Sequence, residues 1–438
     1  MNVLLIGSGA REHAIARAVK KSKIKNRLFC IASNYNPGIA VFATDLTIGN
    51  INDPNSVVEF AKKHSIDLAI IGPEAPLANG VSDALRKLAI GCVGPTKALA
   101  QLETSKGFTR NLMKKYKIAG CPIYQNYSKP DGVAEFLNEL GDNYVVKFDG
   151  LMGGKGVKVA GEHLNSHKDA LAYCEEIVAD GGKFVVEEKL IGEEFSLMSF
   201  CDGEHLIHMP PVQDHKRAYE NDTGPNTGGM GSYNDKQQSL PFLNYEDIHS
   251  AKLTNKAIAV ALKKEFGTGY QGIIYGGFIA TADGIKVIEY NARFGDPEAM
   301  NVFALLESDF LELCIALVNG ELNTYSIKFN SKATVCKYAV PNGYPDAPLK
   351  GENIGVSKIN DPDQLYYASV DVIDEQLIEA GSRTVAVVGV ADSLPQAEAL
   401  AEQAISRIEG PLFHRSDIGT AKLVQKRIDN MNNLRGRS

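Results

Sequence analysis

The segment VIEYNARFGDPE, residues 287–298, carries the densest chemistry in the chain. Glu289 and Asn291 stand two apart at the end of an apolar strand pattern. Their side chains therefore face one side, which suits two oxygen ligands on one divalent cation that phosphates also hold. Arg293 follows on that side, with a planar fork that can grip a carboxylate or steady a transferring phosphoryl group. A polar sheet edge would explain Glu289, but it explains poorly why Val287 and Ile288 lead straight into this polar run.

Three further segments offer partners for such a centre. Lys147 ends the strand pattern YVVKFD, and the loop Asp149-Gly150-Leu151-Met152-Gly153-Gly154-Lys155-Gly156 follows it. Glycines let that backbone approach phosphates, and Lys147 and Lys155 supply neutralising cations. The P-loop pattern is excluded because no helix follows and Val157 replaces the hydroxyl residue. Next, VVEEKL with Gly192-Glu193-Glu194 offers an apolar slot and backbone amides for a flat base, with a carboxylate within reach of a ribose hydroxyl. Last, Gln213-Asp214-His215-Lys216-Arg217 precedes the loop Asp222 to Gly231 (DTGPNTGGMG), a basic cluster beside a Gly/Thr/Asn segment that suits closure over an anion. His215 reads equally as a general base, a solvated residue or a structural hydrogen-bonding group.

At the amino end, GSGAREHA has only the first half of a dinucleotide fingerprint. Glu12 stands where the third glycine belongs, and its carboxylate would repel a pyrophosphate. Arg11 beside the turn leaves a single phosphate or a polar sugar as a plausible ligand, against the plainer reading of a tight turn. Glu74, in GPEAPL, lies just past a buried strand, where open α/β sheets bind ligands.

These residues need elements to position them. Apolar runs at NVLLI, RLFCIAS, DLAIIG and GCVG alternate with helical patterns, which predicts a doubly wound parallel sheet, Rossmann-like, over 1–103. At its end QLETSKGFTRNLMKKY reads as one long helix. The 104–325 region reads as a small mobile module, 121–190, followed by an antiparallel sheet. A small α+β domain is expected over 326–426, with QLYYASVDV as a strand and a helix from Leu394 to Ile408, and then a fraying tail at 427–438. The fold class is thus α/β and α+β, multidomain. Of 438 residues, 46 are Lys or Arg and 53 Asp or Glu, a net charge of -7 that argues against nucleic-acid or anionic-membrane partners. The 7 cysteines are scattered without a C-x-x-C pair, so reduced thiols and a cytoplasmic location are expected. The first residues lack a signal-peptide pattern, and a soluble monomer is the expected state.

The loop DGLMGGKGV, the strand VVEEKL with GEE, and VIEYNARFGDPE together resemble the ATP-grasp superfamily. Within it, GPEAPL, QLETSK, QDHKRAYENDTGPNTGGMG and RFGDPE are similar to the phosphoribosylamine–glycine ligases, in family order from residue 2 to about Gly419. The resemblance implies an N-terminal Rossmann-like domain, central ATP-grasp domains and ligation of glycine to 5-phosphoribosylamine, with ATP yielding ADP and phosphate by way of glycyl phosphate. It implies ATP held by Lys106, Lys147 and the loop from Asp149 through Gly154, Lys155 and Gly156. Glu187, Lys189 and Leu190 would bind adenine, largely through backbone, and Glu194 the ribose. Glu289 and Asn291 would hold Mg²⁺ or Mn²⁺, and Arg293 would face the acyl phosphate or the glycine carboxylate. Lys147, Asp214, Lys216 and Arg293 are the implied catalytic set. Gly9, Arg11, Glu12 and Glu74, with Asp214, His215, Lys216 and Arg217 and then Asp296, Pro297 and Glu298, are the implied substrate ligands. Phe148, Met152, Gly153 and Ala10 depart from the family's usual residues, and Gly276 and Gly277 stand where many ATP-grasp enzymes place an acidic metal ligand. The rival readings are another ATP-grasp ligase or a biotin-type carboxylase, and a non-catalytic ATP sensor.

Overall fold

A computed structural model of the chain describes residues 1–153 and 156–436. The first five strands are parallel, in the order Ala43–Ile48, Arg27–Ala32, Asn2–Ile6, Leu68–Ile71, Gly91–Val93. Along the central strand Leu4 and Ile6 enter one hydrophobic cluster and Val3 and Leu5 the other, so both faces are covered, as a parallel sheet requires. The strand Ala43–Ile48 has no apolar run to announce it and sits at the edge, where only half of its surface needs burial.

Residues 124–188 form a module with its own core. Its antiparallel sheet runs Tyr124–Tyr127, Phe184–Glu188, Tyr144–Phe148, Val157–Val159, and the helices Val133–Leu140 and His167–Ala179 pack with Tyr144, Val146, Phe184 and Val186. The body beneath it is a second antiparallel sheet, ordered Leu206–His208, Glu193–Asp202, Gln271–Thr281, Gly284–Asn291. The helix Tyr245–Phe266 lies across that sheet. Its buried Asn255 donates to the Leu197 carbonyl at 2.9 Å and accepts from the Tyr290 hydroxyl at 3.0 Å.

Four expectations need correction. The predicted long helix is two, Gln101–Thr104 and Lys106–Lys115, because Ser105 is extended (φ -139°, ψ 111°) and its Oγ caps the second by accepting from the Phe108 amide. QLYYASVDV is also two pieces, Leu365–Tyr367 and Val370–Ile373, in different sheets. The helix expected to reach Ile408 stops at Ile405. The described part of the tail, 427–436, is held: the helix Ala421–Leu434 runs through it, and the Arg435 guanidinium donates to both Asp247 oxygens at 2.7 and 2.8 Å and to the Thr281 carbonyl.

The carboxy-terminal sheet is also not confined to the last hundred residues. Its order is Gln213–Asp214, Gly231–Asn234, Ala333–Pro341, Val385–Ala391, Leu365–Tyr367, so the stretch carrying QDHKR and the Gly/Thr/Asn loop is built onto strands from 333 onward. Among the described residues no helix is long and apolar enough to cross a membrane.

His13 joins the first domain to this sheet. Its Nδ1 accepts the Tyr367 amide at 3.0 Å, and its ring fills the space that a side chain at Gly38 would need. Burial, with Arg17 beside it, lowers its pKa from 6.5 to about 3. Between those values the unfolded chain takes up a proton that the folded chain refuses, so stability falls as pH drops below 6.5. By pH 5 the His13 share is on the order of 2 kcal/mol. Melting temperatures from pH 7.5 to 5 are expected to fall less steeply for His13→Gln than for the parent, and parallel curves would refute this.

Candidate active site

One cavity of about 1420 Å³ lies where the body sheet, the 124–188 module, the parallel-sheet domain and the carboxy-terminal sheet meet. Its floor is shaped by a bulge. Glu289 pairs with Gly277 but Val287 pairs with Phe278, leaving Ile288 as an extra residue. The core-facing positions therefore shift from Val287 to Tyr290, and Glu289 and Asn291 turn to the cavity instead of sharing the Val287 face. Gly276 and Gly277 lie opposite, and a methyl at Gly276 would come within 2.5 Å of Asn255 Oδ1. The neighbouring strand thus has no carboxylate to offer here.

The Ile288 carbonyl is gripped by two cations, Arg110 Nη2 at 2.6 Å and Lys147 Nζ at 3.2 Å. Both pair with one carboxylate, Glu187, which receives Arg110 through a bidentate pair (2.7 and 2.9 Å) and Lys147 at 2.7 Å; burial, with Arg110 alongside, still leaves the Lys147 pKa lowered. Burial alone would raise the Glu187 pKa, but Arg110 and Lys147 overcome it and hold the carboxyl at about 2. Lys147 thus reaches the cavity already paired, and Glu187, expected to serve through its backbone, acts through its side chain. The Glu188 and Lys189 amides are spent on the Ile123 and Asn143 carbonyls at 2.9 Å, so the expected backbone contacts to a base are reduced. The Lys189 ammonium donates to the Ala160 carbonyl, and neither Lys189 nor Leu190 lines the cavity.

The glycine-rich loop reaches the cavity with Gly150, Leu151, Met152 and Gly153, whereas Gly154 and Lys155 lie outside the described residues. Asp149 turns away, accepting from the Gly107 amide at 3.1 Å and the Ser105 hydroxyl at 3.1 Å, and so ties the loop to a helix start. Gly156 also stands off the cavity, packed against Met152 and Phe148. Phe148 itself is accommodated by Gly150 and Gly182, whose added methyls would come within 2.5 and 2.7 Å of its ring. Lys106 spans the gap by donating to the Gly150 carbonyl at 3.0 Å.

Across the cavity Lys216 lies 3.7 Å from Glu194 and 3.9 Å from Glu289. Burial pulls its pKa down, but the surrounding carboxylates more than reverse this and raise it. Glu289 shows the converse balance, burial opposed and outweighed by Lys216, Lys106 and Lys147, and its pKa is lowered. Asp214 has an Oδ1 that is buried without a partner, and burial together with Glu298 raises its pKa well above its ordinary value. His215 is neither solvated nor hydrogen-bonded through its ring. Burial, then Arg427 and Arg415, lower its pKa to about 3, which makes it a poor base near neutrality. Arg217 pairs with Glu162 of the module and donates to the Gly224 carbonyl.

At the far end stand the first-domain residues. Arg11 lines the cavity and donates to the Phe294 carbonyl at 3.1 Å. Glu12 does not line it. Its carboxylate accepts the Gly9 amide and Arg11 Nε, both at 2.6 Å, and so occupies the turn where an anion was expected. Gly9 is likewise withdrawn. Glu74 begins the short helix Glu74–Ala78 and pairs with Arg293 Nε at 3.3 Å, while Glu103 pairs with Arg293 Nη2 at 2.9 Å. Asp296 accepts from the Tyr338 hydroxyl at 2.6 Å and Glu298 from the Tyr275 hydroxyl at 2.7 Å. Pro297 instead packs on Gly229, outside the lining.

Sequence reasoning passed over Glu103, Arg110 and Arg383. Arg110 was discoverable as a charge four from Lys106 on one face of the helix Lys106–Lys115, whereas Glu103 lies across the break at Ser105. Arg383, which donates to the Gly228 and Asp296 carbonyls at 2.8 Å, carries no local signal.

Glu289 and Asn291 provide one carboxylate and one amide oxygen, and among the described residues no group of three or more His, Cys, Asp or Glu could hold a metal. That donor set fits a hard cation that takes its remaining ligands from phosphates and water.

Comparison with known proteins decides the family. Phosphoribosylglycinamide synthetase profiles match in order, the N domain over 1–103, the ATP-grasp (A) domain over 104–299 and the C domain over 334–421. The chain belongs to this family. The phosphoribosylamine–glycine ligase of Methanosarcina barkeri is 50% identical over 100% of both chains, and that of Methanocaldococcus jannaschii is 49% identical over 99% of this chain and 100% of its own. The crystal structure of the Thermotoga maritima phosphoribosylamine–glycine ligase superposes with a TM-score of 0.81 at 26% identity, over 95% of this chain and 100% of that one. A biotin carboxylase from Campylobacter jejuni reaches a TM-score of 0.72 at 14% identity, over 99% and 95% of the two chains, a likeness of fold alone. The chain is accordingly an ADP-forming ATP-grasp ligase, and the carboxylase and sensor readings fall away.

The pairing of Lys147 separates it from Lys106. Lys147→Ala takes one donor each from the Ile288 carbonyl and Glu187, which keeps Arg110, and is expected to cost about 1–3 kcal/mol. Lys106→Ala breaks a single bond to a carbonyl and should leave the melting temperature nearly unchanged. Equal losses in thermal denaturation would contradict the assignment.

Proposed function

We propose that ATP, glycine and 5-phosphoribosylamine meet in this cavity and that the ligation runs through glycyl phosphate. A glycine carboxylate oxygen attacks the γ-phosphorus and ADP leaves. The amine of phosphoribosylamine then attacks the acyl carbon, loses a proton and expels inorganic phosphate. The observation that carries this reading is the convergence of Glu289 and Asn291, aimed by the Ile288 bulge, with Lys106, Lys147 and Lys216 in one cavity that also holds Arg11 and Glu74.

Phosphoryl transfer asks a protein mainly for positioning and charge neutralisation, and these residues supply both. Lys106 and Lys147, on opposite sides of the loop root, neutralise the terminal phosphates. Glu289 and Asn291 would hold Mg²⁺, which would supply neutralisation of the charge that develops on the phosphates. Arg293 orients the attacking carboxylate and then the acyl phosphate. Glu194, half exposed beside Lys216, is placed for the ribose hydroxyls. Arg11 and Glu74 receive the phosphoribosylamine. Asp214, with its unpartnered buried oxygen, is available to the amino groups. The protein acts as a monomer in the cytoplasm.

Carboxyl-¹⁸O glycine is expected to pass one label into inorganic phosphate, with ADP as the nucleotide product. An acyl adenylate route would instead label AMP and release pyrophosphate. Label in AMP, or ADP release that needs neither glycine nor phosphoribosylamine, would sink this reading. Lys106→Ala should raise the KM for ATP by roughly tenfold or more, the loss of one charge-assisted contact. Arg11→Ala should raise the KM for phosphoribosylamine and spare that for ATP, and a selective ATP defect would reverse the assignment of the two ends.

A further inference from the structure

Arg293 stands between two carboxylates that differ in kind. Glu74 approaches Nε at 3.3 Å, and its side chain is 34% exposed. Glu103 approaches Nη2 at 2.9 Å with a side chain only 5% exposed, and its second oxygen accepts the Ala292 amide at 2.7 Å. One carboxylate therefore holds both the guanidinium and the backbone of the preceding residue. That closes a ring through Ala292 and Arg293, which leaves the arginine little freedom to swing. The helix break at Ser105 brings Glu103 to this point, with Lys106 starting the next helix.

We infer that Glu103 is the positioning residue for Arg293, the fixed counterion that aims its guanidinium at the reacting groups, while Glu74 is the exchangeable one. Of the two carboxylates, Glu74, 34% exposed against 5% for Glu103, is the one open enough to solvent to yield the guanidinium to an incoming carboxylate or phosphate. Glu103 stays, since leaving would strand the buried Ala292 amide. This inference rests on the proposed role of Arg293 in the ligation.

Glu103→Gln is the telling variant. Its amide must turn an NH₂ toward either the Ala292 N–H or the Arg293 guanidinium, both of them donors, so one grip is lost with little change in volume. The expected result is a fall in kcat of at least roughly tenfold, with the KM for ATP within about twofold of the parent. In an Arg293→Ala background the same change should add no further loss, because the residue acts through Arg293. A parental kcat in folded Glu103→Gln, or losses that multiply independently, would overturn the inference. Should Glu103→Gln fail to fold, Glu103→Asp, which keeps the charge but is too short to hold both partners, takes its place in the same cycle.

A readout that does not need turnover separates this claim from the proposed function. In the ¹⁵N spectrum of the free protein the Arg293 Nη–H signals, assigned by their loss in Arg293→Lys, should move and exchange faster with solvent in Glu103→Gln. An unmoved signal would refute the positioning role even in an active enzyme. A moved signal in a parent that forms no glycinamide ribonucleotide would uphold the role and refute the function.

Discussion

The extra residue in the strand Gly284–Asn291 is the constraint on which the site depends. With the Ile288 bulge, Glu289 and Asn291 face the cavity; without it they would share the buried face of Val287. A bulge frees a carbonyl from the ladder, and a buried carbonyl without a donor costs about 1–3 kcal/mol. Arg110 and Lys147 supply the donors, and two cations side by side in a dry site need a carboxylate, which Glu187 provides. The sequence of needs runs from backbone geometry to charge. It also joins the body, through Ile288 and Arg110, to the root of the 124–188 module, through Lys147 and Glu187. The ion triad is thus one of the places where the module is fixed to the body, with the Asp149 and Lys106 contacts at the loop.

A second junction is packed into three consecutive residues. Arg11 reaches out to the Phe294 carbonyl at the cavity, Glu12 folds back onto the Gly9 amide, and His13 reaches the Tyr367 amide of the carboxy-terminal sheet. Glu12 can fold back only because its neighbours lack side chains: methyls at Gly7 and Gly72 would approach it to 2.8 and 2.0 Å. A turn that in nucleotide-binding sheets is kept open for a phosphate is here filled by the protein's own carboxylate. What it still presents to a substrate is the Arg11 side chain rather than backbone amides.

The legible part of the protein was what local pattern fixes. The parallel sheet, the antiparallel body sheet and the sharing of one side by Glu289 and Asn291 follow from runs and periods within ten or so residues, whereas which face that side becomes is set by the Ile288 bulge. The misread parts turn on partners far apart in sequence. Glu187 sits in an alternating strand that gives no hint of its side chain's use, because Arg110 lies 77 residues earlier. Asp149 looked like a phosphate-loop residue until a helix start 42 residues away claimed it. The Asp214 to Gly231 stretch was placed with its sequence neighbours, whereas Gln213–Asp214 pairs with Gly231–Asn234, which in turn pairs with Ala333–Pro341. The tail looked frayed because nothing in NNLRGRS foretells a carboxylate at Asp247 waiting for Arg435.

The carboxylates around the cavity pose a puzzle for a site that must take a polyanion, and their exposures resolve it. A cation in a water-excluded cavity needs a counterion to stay charged and oriented before substrate arrives. Glu187 and Glu103, with side chains 2% and 5% exposed, are counterions that cannot leave. Glu74, Glu194 and Glu289, at 34%, 52% and 34%, can exchange a lysine or arginine for water, a hydroxyl or a metal as phosphates take their place. The buried pair fixes where Lys147 and Arg293 point, and the open trio sets how readily Lys216 and Arg293 are released to the ligand. Binding of a polyanion then becomes an exchange of partners at cations already in position, which avoids the cost of first desolvating and ordering them.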